Sequence, residues 1–146
     1  MREILFKAKR KDNGEWVEGY YIYHIKRTIC PLGDSVKPED EQHVIMRDGF
    51  SDWNMPRNTV VYEINPETLC QYTGLTDKNG RKIWENDIVK CKTANLRVSW
   101  HTFKASWVVS KKGWMFNHFF GESMEPEDVE AIGNVFDNPE LLEGKE

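Results

Sequence analysis

No apolar run in this 146-residue sequence approaches the ~20 residues a membrane helix needs, and its opening MREILFKAKRK holds only a short uncharged run between charges. A spanning helix and a secretory leader are therefore not expected, and the expected compartment is the cytoplasm. Cysteine is sparse: Cys30, Cys70 and Cys91 are odd in number and lie 40 and 21 residues apart, without the close pairs of a zinc knuckle. Reduced, buried thiols are the expectation. His24, His43, His101 and His118 are equally scattered, so neither a structural metal nor a cofactor is expected. With 39% apolar and 30% charged residues the chain has the composition of a soluble globular protein, long enough for one ordinary domain or two very small ones.

What is abundant is strand signal. Residues 15–25 (EWVEGYYIYHI), 58–64, 87–92, 96–109, 113–120 and 131–136 are rich in β-branched and aromatic residues. Between them lie turn formers: Asp12-Asn13-Gly14, Asn65-Pro66, Asp77 to Gly80, Lys112-Gly113 and Asn138-Pro139. The fold class is mainly β, with short strands joined by hairpins. Residues 123–132 and 138–144 each have the chemistry of one short helical turn. Residues 26–57 mix charge and turn formers with only short apolar runs, which predicts an irregular excursion, and Trp53 within it is the tryptophan expected to be exposed. The Asn65-Pro66 step predicts a boundary between an N-terminal hairpin unit, 1–64, and a C-terminal barrel-like unit, 65–146 with its acidic tail. Each is marginal alone, so packing on each other or on copies of the chain is expected.

The stretch QYTGLTDKNGRKIWENDIVK, 71–90, carries seven charged residues in twenty. Asn79-Gly80 tolerates positive φ and predicts a tight reversal, with Ile83 and Trp84 in the core. Asn86 is one of the few non-glycine residues that accepts the left-handed region, and Asp87 is placed to accept bonds from nearby amides. Asp77, Glu85 and Asp87 could serve as acid and base, but no histidine, nucleophile or phosphate loop accompanies them within the stretch, so a folding role outweighs a catalytic one.

Residues 65–90, NPETLCQYTGLTDKNGRKIWENDIVK, resemble the signature of the YopX family of small phage and prophage proteins, approximately D-P-E-T followed by Q-[YF]-T-G-L-x-D-x-N-G-x-x-I-[YF]-E-G-D-I-V. MREILFKA resembles that family's N-terminus, and VEAIGNVFDNPELLE, 129–143, its closing segment; 26–57 and the aromatic strands after 96 are not covered. Two departures stand out. Asn86 occupies the family's glycine, and Trp84 replaces its Tyr or Phe. The resemblance implies an SH3-like barrel in the C-terminal half packed with a smaller N-terminal β unit. It also implies self-association, and it brings no enzymatic activity that can be assigned to residues. The motif residues Pro66, Tyr72, Gly74, Asp77, Asn79, Gly80, Ile83, Asn86, Asp87, Gly133, Asn134 and Pro139 are then turn formers and core.

Net charge is −4, which opposes a whole-protein grip on nucleic acid. Yet Ile88 to Gly121 contains no Asp or Glu, while Glu122 to Glu146 holds nine acidic residues against Lys145 alone. Lys90, Lys92, Arg97, Lys104, Lys111 and Lys112 interleave with Trp100, Phe103, Trp107, Trp114, Phe116, Phe119 and Phe120. Cations alternating with aromatics can hold single-stranded nucleic acid, with Lys90, Lys92, Arg97, Trp100, Lys104, Lys111 and Lys112 as the candidate surface. Small-barrel strands with lysine-guarded edges explain the pattern better. The acidic tail is a further candidate to cover the basic strands. A nucleophile set of Cys91 or Ser99 with His101 and Asp87 is conceivable but unsupported by strand alternation. The expected function is that of a non-catalytic phage or prophage accessory protein of the bacterial host cytoplasm, a homo-oligomer acting through protein contacts. The alternative is a nucleic-acid-binding module using 88–121.

Overall fold

A computed structural model describes residues 2–30, 32–48, 59–115, 118–122 and 124–143. It is mainly β: eleven strands and four 3-10 turns appear among the described residues. None of the described helices is long and apolar enough to cross a membrane. Two compact units emerge: Ile4–Leu69 form one, and the chain from Cys70 onward, with the first N-terminal residues, forms the other.

In the first unit β1 (Phe6–Lys9), β2 (Trp16–Ile25), β3 (Glu41–Asp48) and β4 (Thr59–Glu63) pair antiparallel in chain order. The β1–β2 reversal uses the turn read from Asp12-Asn13-Gly14, with Gly14 at φ 73° and Glu15 N–H donating to Asn13 Oδ1 at 2.9 Å. One sheet face carries the core, where Ala8, Val17, Ile45 and Ile64 pack with Phe6, Tyr21, Tyr62 and Leu69. Gly19 lies in β2 because a Cβ there would stand 2.4 Å from the Met46 carbonyl oxygen. β3 corrects the expected irregular excursion over 26–57: eight of those residues are strand, paired on both sides. Its Val44 and Ile45 are both buried although they point to opposite faces, so the period-two pattern that marks a strand is lost. Arg27 organises the approach to β3, bonding Asp34 and Asp40 at 2.8 Å each. That guanidinium, through its hydrogen bonds, holds the Asp34 carboxyl at about 2. Trp53 lies outside the described residues.

The second unit begins with a β5–β6 hairpin (Cys70–Thr76, Lys82–Trp84) and continues into a five-stranded antiparallel sheet. Its strands are β7 (Asp87–Cys91), β8 (Ala94–His101), β9 (Ser106–Ser110), β10 (His118–Phe119) and β11 (Glu130–Asn134), in the order β10-β9-β8-β7-β11. The expected single run 96–109 is broken at 102–105 by a turn that contains no glycine, where Ala105 takes φ 48°. Of 113–120, only His118–Phe119 are assigned to a strand among the described residues. The two helical turns read at 123–132 and 138–144 are 3-10 turns, Pro126–Asp128 and Pro139–Leu142. Ile83, Val89, Leu96, Val98, Trp107, Val109 and Val129 form the core of this unit. Among the described pairings this sheet is not closed: closure would set β10 beside β11, and the sheet ends at those two strands, with a bridge of Phe120 to Met124 on the chain between them.

Candidate functional site

The 71–90 stretch is a set of backbone ties. Asp77 is buried, its Oδ1 accepting from Asn79 N–H and Arg81 N–H and its Oδ2 from Ala131 N–H, each at 2.9 Å. Burial opposes ionisation of this carboxyl, and the three amides outweigh it, holding the group below the ordinary carboxylate range. Glu85 accepts from Gln71 N–H at 3.3 Å and Asp87 from Trp84 N–H at 2.9 Å, so all three carboxylates of the stretch are engaged with backbone. Asn79 Nδ2 reaches Glu130 at 3.4 Å, and Gly80 follows at φ 80°. Gly74, at φ 86°, sits where the β5–β6 register shifts, between Tyr72 and Thr76. Asn86 takes φ 67° as expected of the residue that replaces a glycine, and its Oδ1 accepts from Arg97 at 2.8 Å. Ile83 and Trp84 are buried, and Tyr72 packs on Trp84 with ring centroids 5.4 Å apart. Pro66 and Pro139 open 3-10 turns. A Cβ on Gly133 would meet the Asn138 side chain at 2.5 Å, and Asn134 Oδ1 accepts from Phe136 and Asp137 N–H.

The seven residues of the candidate nucleic-acid surface do not share one strip. Lys90 and Arg97 lie on one sheet face, where Glu130 is the cross-strand partner of Lys90 and Asn86 bonds Arg97. On that face Asn95 also donates to the Leu141 carbonyl at 2.9 Å, so the acidic C-terminal stretch lies against the basic strands at both places. Trp100 points to the other face, set edge-on to Trp107 at 5.0 Å. Lys104 stands on the turn at one end of the sheet, while Lys92 on the β7–β8 turn and Lys111 and Lys112 after β9 gather at the other. Lys92, at φ 56°, is in the left-handed region.

Beside that second end opens a cleft of about 620 Å³. Its lining is Cys91, Ala94, Leu96 and Met124, with Trp114 and His118 edge to face at 4.8 Å and with Lys92 and Asp128 as its charges. Apolar lining with a few polar groups is the usual composition of a binding pocket. Sequence reasoning had Trp114 and Lys92 in hand. It could not have found Met124 and Asp128 as their neighbours, because these reach the cleft only through the return of the chain to β11.

The conceivable nucleophile set does not assemble. Cys91 packs on the core, on the opposite face from Ser99 and His101, while Asp87 is committed to Trp84 N–H and His101 Nδ1 to Lys104 N–H at 3.2 Å. Of the thiols, Cys70 is buried and Cys91 half-buried, but Cys30 is exposed, contrary to expectation, on the chain that Asp34 ties down through Cys30 N–H at 3.1 Å.

The crystal structure of protein EF1440 from Enterococcus faecalis is similar over 97% of this chain and 99% of that one, at 20% identity and a TM-score of 0.44. No curated protein matches the chain. The model of the YopX protein family matches residues 5–143, nearly the whole sequence, including the turn-forming and core motif residues just described, and the chain therefore belongs to the YopX family.

Proposed function

We propose that this protein is a phage or prophage accessory module of the bacterial cytoplasm that performs no chemistry of its own and acts by binding protein surfaces, its own copies included. One observation carries the reading. On the face of the first sheet away from its core, Tyr20, Met46 and Val61 stand side by side across β2, β3 and β4, with Ile22 next along β2. Tyr20 is 59% exposed and Val61 55%. An apolar row spanning three strands is what an interface offers, whereas singly scattered apolar residues are ordinary. Two copies related by a twofold axis along the strands would bury the apolar row between them. Light scattering coupled to size exclusion should give a dimer or larger at micromolar concentration, and Tyr20→Lys with Val61→Lys should give a monomer. A monomeric parent protein would end the reading.

The finer fold reading, an SH3-like barrel open at one seam, is supported by the order of the five strands, in which the last lies beside the first and the rest form a meander. A second function, binding of single-stranded nucleic acid, is favoured by the gathering of Lys92, Lys111 and Lys112 at the end of the sheet that carries Trp114. Such binding would weaken steeply with salt and with Lys111→Ala plus Lys112→Ala. Unchanged affinity in that variant would remove it.

A further inference from the structure

We infer that the five-stranded sheet carries a second contact between copies, joined head to tail, in which Phe103 of one copy enters the cleft beside Trp114 of the next. The inference rests on the self-assembly reading and adds a different surface to it. Phe103 is 96% exposed at the tip of the turn 102–105, where its nearest ring neighbour among the described residues is His101 at 6.5 Å. A lone exposed aromatic would mean little. Here the same sheet offers, at its other end, a recess whose lining of Cys91, Ala94, Leu96 and Met124 matches a phenyl ring and whose Trp114 edge or face can pack on it. β8 runs from Ala94 to His101, so knob and recess lie roughly 25 Å apart along a strand of eight residues. One phenyl ring cannot reach the recess of its own sheet across that distance. The recess carries one charge of each sign, Asp128 and Lys92, and Lys104 follows Phe103 on the turn, so the inferred seating is the one that sets Lys104 against Asp128 and away from Lys92.

A knob and a recess at opposite ends of one body form a heterologous contact, which continues from copy to copy until it closes into a ring or leaves a filament. Together with a twofold contact on the first sheet, it would carry assembly beyond the dimer.

The test uses the full-length chain. The parent protein should show a mass above the dimer that rises with concentration, and Phe103→Glu, a fully exposed change, should stop at the dimer. Ala94→Arg, which puts a long charged side chain into the apolar lining of the recess, should also stop there. An equimolar mixture should recover larger species, because one variant keeps the recess and the other the knob. The charge pair gives the second arm: Lys104→Glu and Asp128→Lys should each weaken growth beyond the dimer at least several-fold, and mixing the two should restore it. A parent that stays above the dimer with Phe103→Glu present overturns this inference and leaves self-assembly standing. A parent dimer reduced to monomer by the Tyr20 and Val61 changes does the same. A monomeric parent overturns both. Protection of the recess by an oligonucleotide, with no effect of Phe103→Glu on mass, assigns the cleft to nucleic acid instead.

Discussion

The two units both bring a late segment back to an early strand, and they hold that return differently. In the first, each strand pairs with the next in sequence, and the return is a single bridge of Arg10 to Ile64 with the neutral Thr68 Oγ1 accepting from Lys9 N–H at 2.8 Å across 59 residues. In the second, the chain runs through four strands and then returns as a whole strand, β11 beside β7, with the buried Asp77 carboxylate accepting from Ala131 N–H across 54 residues. Either return spends loop entropy before the contact rewards it, and the second sets a charged acceptor against that cost.

The largest expected effect breaks the second solution alone. Asp77→Ala leaves three amides without their acceptor and should cost about 3–5 kcal/mol, since bonds to a charged group are worth more than neutral ones. Urea unfolding measures the loss, and hydrogen exchange should rise within 70–143 while 4–69 stays protected. Because the folded carboxyl is held below its ordinary range, its contribution is full at neutral pH and fades as pH falls through the folded value. The gap between the parent and Asp77→Ala should therefore be wide at pH 7 and narrower at pH 3; an equal gap at both would assign the effect to packing. Next in size is Gly19→Ala, which strikes the first unit. Its Cβ would meet Met46 backbone and Ile45, and overpacking of that kind costs about 1–3 kcal/mol, with exchange rising in 4–69 instead. The smallest is Asn86→Gly. It relieves a left-handed non-glycine residue but loses the bond to Arg97, so a net change within about 1 kcal/mol is expected, whereas Asn86→Ala keeps the strain without the bond and should cost about 1–2 kcal/mol.

The same contrast governs what could be read in advance. Residues 71–90 were legible because Asp77, Asn79, Gly80 and Asn86 are chosen for turns, and turn chemistry is local. β2, β4, β7 and β11 announced themselves by aromatic and β-branched runs. β3 did not, since adjacent Val44 and Ile45 are buried on opposite faces. The break at 102–105 was invisible because Ala105 takes a left-handed conformation that its side chain does not advertise. The cleft was illegible for the reason that makes the second unit distinctive: Trp114, Met124 and Asp128 meet Cys91 only after a long return. Separating Lys90 and Arg97 from Trp100 likewise required the register, which decides the face.

The late return of β11 also has a consequence in time. On the ribosome the first unit is complete in sequence once Leu69 has emerged, while the second lacks its edge strand until Asn134 has been made. If the first unit folds as it emerges, the apolar row of Tyr20, Met46 and Val61 is on display while the rest of the chain is still unfinished. A nascent chain could thus meet a partner through its first half before its second half exists, and the order of synthesis would set the order of assembly.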